Sequence, residues 1–197
     1  MSMTNLEKLP DHLHELWPPG MTLMFERSLL QVVPLTLTKI NPMALSFAGS
    51  PIAEVPPEIF EAPRLMVVVL SHTKVQELPR NVAKPSAAFY ALWILGTNVS
   101  TFWSWMEPSL RVAHTLNRYT YSAHGTRYCT ERDAIVAGNR TNFSIFTAEP
   151  DARDLASVMD VSTPEKLQYS KTAVACSLRP SYYFPLSLQD KNSALRP

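Results

Sequence analysis

The sequence predicts an α+β fold in a single domain over residues 1–197, with short strands, a long apolar helix near 86–106, and extended proline-rich arms at 41–63 and 179–197. Three observations lead there. Short runs of Val, Leu, Ile and aromatic residues are punctuated by 17 Pro and only 5 Gly, which breaks the chain often and rules out long regular elements over much of it. Residues 85 to 106 carry no Asp, Glu, Lys or Arg at all. Hydrophobic residues reach 46% against 18% charged, fewer charges than an ordinary globular chain needs for its surface, so part of the exterior is expected to be covered by a partner or by lipid.

In chain order, Thr4 to Glu7 fits a capping box, and Leu6, Leu9, Leu13, Leu16 and Trp17 follow at near-helical spacing, which predicts a short amphipathic helix disturbed by Pro10. Pro18-Pro19-Gly20 stops it. Met21 to Ile40 favours strands, with Pro34 marking an edge or a break. From Asn41 to Pro63, five prolines predict a chain lying extended over another surface, whose Met43, Leu45, Phe47, Ile52, Val55, Ile59 and Phe60 need cover. Arg64 to His72 is the clearest strand, a β-branched run of the kind buried on both faces.

The charge-free segment 86–106 admits three readings. Leu92, Leu95, Val99, Phe102 and Met106 alternate three and four apart, which suits a buried helix. The same stretch is long enough to span a membrane, with Phe89, Tyr90, Trp103 and Trp105 near its ends, and this is where lipid contact is expected. It can also fold as a hairpin about Gly96-Thr97-Asn98. Beyond it, Pro108 opens a second helix that Gly125 ends. Thr126–Val136 and Phe143–Ala148 look like strands joined at Gly138-Asn139, Asp151–Met159 and the segment opened by Thr163-Pro164-Glu165 look helical, and Lys171–Leu178 looks like a last strand. The tail holds Tyr182, Tyr183, Phe184 and Leu186 between Pro180 and Pro185, as an arm that docks elsewhere would. No internal repeat stands out.

Catalytic grammar is missing. The sequence contains no GxGxxG, GxxxxGK[ST], GxSxG or HExxH, so no catalytic, cofactor-binding or metal-binding residue is assigned. His12 and His14 with Asp11 and Glu15 come nearest to a metal set, but residues two apart on a helix diverge, and a solvated helix face explains them better. His72 ends the strong strand, where a lone histidine is more often a satisfied core residue than a catalytic one, and His114 and His124 have similar standing. Tyr128, Cys129, Glu131, Arg132 and Asp133 form a polar group in which Cys129 could act beside His124; buried thiols at Cys129 and Cys176 are the plainer account.

A net charge of +1 without a basic cluster argues against nucleic acid as a partner. The N-terminus lacks the apolar core of a secretory signal, so an intracellular setting is expected, at an internal membrane if 86–106 spans one. Together these features predict a non-catalytic structural or accessory subunit that packs against other protein subunits. A coat or shell protein with a β-sandwich core is the alternative, and a small α+β enzyme or ligand-binding domain the further one.

Overall fold

The computed structural model describes residues 5–117, 120–138 and 171–177, and in it the strands repeat. Each centres on an apolar residue, with 22 residues from Leu23 to Leu45, 23 on to Val68, 24 on to Leu92, 29 on to Tyr121 and 53 on to Val174. Six strands are present among the described residues: β1 (Thr22–Met24), β2 (Ala44–Ser46), β3 (Val67–Val69), β4 (Ala91–Trp93), β5 (Tyr121–Ser122) and β6 (Val174–Ala175). All pair in parallel, in sequence order. The expectation of an α+β fold is corrected here to a parallel, α/β-like sheet, and a β-sandwich core falls with it.

The repeat is built position by position. The central residue of each strand points inward and is buried, as is the residue two further on: Phe25, Phe47, Leu70, Ile94 and Ala123. Their amides continue the ladder, with Phe25 donating to Ser46 (2.7 Å), Phe47 to Val69 (2.9 Å), Leu70 to Trp93 (2.7 Å), Ile94 to Ser122 (2.8 Å) and Ala123 to Ala175 (2.9 Å). Two residues later the backbone turns through positive φ at Arg27, Gly49, His72, Gly96 and Gly125.

A hydroxyl follows every turn, at Ser28, Ser50, Thr73, Thr97 and Thr126, and each is buried. Burial obliges these groups to find partners inside the protein. Thr73, Thr97 and Thr126 donate to Leu70, Ile94 and Ala123 carbonyl oxygens at 2.6, 2.7 and 2.6 Å. Ser50 donates to Phe25 (2.8 Å), and its Oγ lies 3.0 Å from Ser28 Oγ. The chain then returns through a second buried file of Leu30, Ile52, Val75, Val99 and Tyr128, and a third of Val33, Val55, Leu78 and Phe102.

Short helices close the repeats: α1 (Leu13–Leu16), α2 (Thr36–Ile40) and α3 (Pro57–Phe60), then a 3-10 turn (Ser104–Met106) that leads into α4 (Glu107–Thr115), and α5 (Arg127–Val136). Pro34, Pro56 and Pro79 each follow the third-file residue, so one of the prolines expected to mark an extended arm at 41–63, Pro56, instead recurs in step with the repeat. That segment carries β2 and α3 and buries Leu45, Phe47, Ile52, Ile59 and Phe60 in the protein's own core.

The long helix near 86–106 is likewise absent. The segment contains β4, a turn at Gly96 and the 3-10 turn, and no described helix is long and apolar enough to cross a membrane. Its stripe of Leu92, Val99, Phe102 and Met106 is buried as successive files of one repeat rather than as one helical face. Thr126–Val136 is the helix α5, not a strand, because Thr126 accepts a hydrogen bond from the Cys129 amide (3.3 Å) and so caps it. The helix expected from Pro108 to Gly125 stops at Thr115 and yields to β5. The first helix shortens to Leu13–Leu16, and the strand expected over Arg64–His72 is β3, with Val67 only partly buried. Within Lys171–Leu178 the strand is β6. The predicted elements at 143–148, 151–159 and 163–165 and the arm at 179–197 lie outside the described residues.

Candidate functional site

Beside α4 lies an apolar groove of about 1210 Å³. Its floor comes from the outward-facing Val67, Ala91 and Trp93 of β3 and β4, one wall from Ser86 to Tyr90, and the other from α4. The 86–90 wall is fixed because Ser86 Oγ donates to the Leu65 carbonyl oxygen (3.0 Å) and the Ser86 amide to Phe60 (2.8 Å). Phe60, Phe89 and Trp105 interlock behind it, with ring centroids 4.9 to 6.1 Å apart.

Helix α4 starts at Glu107 and Pro108, suited to a first turn, and Arg111 holds Glu107 at 2.7 Å across one turn. Leu110 and Ala113 face the core, whereas Val112 and Leu116 stay exposed at the groove. Ser109 Oγ lies 2.6 Å from Tyr121 Oη beneath the groove. Burial pushes the Tyr121 hydroxyl well above the ordinary tyrosine pKa, and the Ser109 hydrogen bond only partly offsets it.

Among the described residues, no Asp, Glu, Lys, Arg, His or Cys lines the groove. Thr120 Oγ1 is buried at its edge without a hydrogen-bond partner. The surface can therefore hold apolar and aromatic groups, and the polar side chains that its described residues add are the hydroxyls of Ser86, Tyr90, Ser109 and Thr120 and the amide of Asn117.

The residues weighed from sequence lie elsewhere. Cys129 and Cys176 form a disulfide, a correction to the expectation of buried thiols that also removes Cys129 as a nucleophile in this oxidised state. Each histidine beyond α1 sits at a repeat junction. His124 Nδ1 donates to the Cys176 carbonyl oxygen (2.9 Å), His114 Nδ1 meets Thr172 Oγ1, and Arg132 Nη1 donates to Val174 (2.9 Å). Along with the disulfide these contacts pin β6 to its neighbours. His72 lies over Gly96, close enough that a Cβ there would be 2.6 Å from His72 Nδ1. His72 and His124 therefore belong to the turns on either side of Gly96, whose amide donates to the His124 carbonyl oxygen (2.9 Å).

His12 precedes α1, and His14 Nδ1 donates to the Asp11 carbonyl oxygen (3.1 Å); no group of three potential metal-ligating side chains occurs among the described residues. The groove itself was missed because its residues come from two repeats and a helix, and only the apolar, charge-free run 85–106 pointed to this region. In comparisons with known proteins, no family model matches the chain and no curated protein matches it.

Proposed function

We propose that the chain is a non-catalytic subunit of a larger protein assembly and that the groove beside α4 seats an apolar segment of a neighbouring subunit. The observation that carries this reading is the groove's lining, which among the described residues is mostly aromatic and aliphatic and carries no ionisable side chain other than Tyr90. The architecture supports it. One strand per repeat of 22 to 24 residues, with an inward Leu-x-Φ pattern, resembles the construction of leucine-rich solenoids, whose stacked repeats present extended binding surfaces. Val112 and Leu116 are exposed on α4 at positions where a solvated helix face would carry charge.

Co-purification from the native source tests this reading. A partner retained by the wild-type chain should be lost from Val112→Asp and Leu116→Arg variants that keep their circular dichroism. A wild-type chain that purifies without any partner, or variants that hold the partner as well as wild type, would overturn it.

A further inference from the structure

The solvent-facing arc of the repeats carries a second, separate surface. Leu6 occupies the repeat position of Ile52 and Val75: the Leu29 amide donates to Leu6 (3.0 Å), as Lys74 does to Ile52 (2.8 Å) and Asn98 to Val75 (3.3 Å). The parallel bridge between Val32 and Glu54 fixes the next step of the register. Three outward positions can then be compared from repeat to repeat. They hold Asn5, Lys8 and Asp11 in the first turn of chain, Leu29, Val32 and Leu35 in the next, Pro51, Glu54 and Pro57 in the third, and Lys74, Glu77 and Arg80 in the fourth.

One row of the four is wholly aliphatic, and its side chains are open to solvent: Leu29 is 46% exposed, Val32 48% and Leu35 52%. Charged groups flank its centre on both sides, exposed Lys8 before it and exposed Glu54 after it. An apolar centre inside a charged rim is the usual anatomy of a protein contact.

The arrangement is complementary to itself. A two-fold axis lying along the row places Leu29, Val32 and Leu35 of one copy each against the same residue of the other. The same axis sets Lys8 opposite Glu54, twice. Asn5 falls opposite Pro51 and Asp11 opposite Pro57, so no like charges meet. In an isologous contact every pair occurs in both directions, which doubles the value of this match. We infer that this row is the centre of a homodimer interface, and that its occupant is a second copy of the same chain. The contact goes beyond the groove reading and uses none of the groove's residues.

Sedimentation of the whole chain, from about 1 to about 100 µM, tests it in the range where modest homodimers form. Wild type should shift to dimer across that range. Val32→Glu sets two carboxylates against each other at the axis and should weaken the dimer by roughly 100-fold. It should fold, since Glu54 and Glu77 hold the same position in the next two repeats. Lys8→Glu or Glu54→Lys alone should weaken the dimer by roughly 5-fold, and the two together should restore it. A wild-type monomer throughout, a dimer indifferent to Val32→Glu, or a double charge swap as weak as either single one would each overturn the inference. Partner capture at the groove responds to Val112 and Leu116 instead, so failure of one reading leaves the other to its own test.

Discussion

The first four strands and the last two are held by different means. From β1 to β4 the spacing drifts by only one residue per step, and each repeat adds the same set of inward side chains and one buried hydroxyl. Stability there is a sum of like interfaces, each repeat resting on its neighbour. From β5 to β6 the regularity ends. Tyr121 replaces the small aliphatic residue at the strand centre, Ala123 and Cys176 take the place of the large second residue, and specific ties substitute for repetition: Cys129–Cys176, Arg132 to Val174 and His124 to Cys176. Where side-chain volume no longer stacks the repeats, covalent and polar bonds do.

The largest effect should come from the repetitive half. Phe47 is fully buried and stacks on Phe25 with centroids 5.6 Å apart. Phe47→Ala removes a ring shared by two repeats and should cost about 3–5 kcal/mol in denaturant unfolding. A loss below about 1 kcal/mol would mean that the repeats do not depend on one another through this file.

The irregular end should lose less and lose it locally. Cys129→Ser with Cys176→Ser opens a link across 47 residues and should cost about 2–4 kcal/mol. Amide exchange should rise at Tyr121 and Val174 while Leu45 and Val68 keep their protection. Uniform loss of protection along the sheet would erase the contrast between the two halves.

Much of the sheet was present in the sequence without being legible there. The strand at Val67–Val69 is visible because its β-branched run is continuous. The others are two or three residues long, too short for alternation to show. The repeat itself, Leu-Met-Phe-Glu-Arg-Ser at 23–28, Leu-Ser-Phe-Ala-Gly-Ser at 45–50 and Leu-Trp-Ile-Leu-Gly-Thr at 92–97, is plain once aligned. It escapes a linear reading because the turn residue is Gly in some repeats and Arg or His in others, and because the spacing lengthens along the chain. Residues 86–106 misled for a physical reason. Inward files three and four residues apart are what a returning repeat needs, and an α-helix imposes the same periods. In α5, Tyr128, Cys129, Thr130, Ile135 and Val136 favour a strand locally, yet the Thr126 cap and the packing of Tyr128 against Phe102, 4.5 Å between centroids, decide for a helix. The groove was legible only as a shortage of charge.

The turn column offers the finest comparison, because it runs through the regular half with different residues doing one job. Arg27 and His72 adopt positive φ at 51° and 57°, whereas Gly49 and Gly96 reach 71° and 64°. At Gly96 two constraints coincide, the left-handed backbone and the imidazole of His72 where a Cβ would go. Gly96→Ala should therefore cost about 1–2 kcal/mol for the backbone alone, with a further loss from displacing His72. Adding His72→Ala removes the second term and not the first, so the double variant should recover part of the loss and still fall short of His72→Ala alone. Full recovery would show that the backbone at Gly96 tolerates a side chain and that steric approach alone selects glycine there. No recovery would show that the histidine yields freely and that φ alone does.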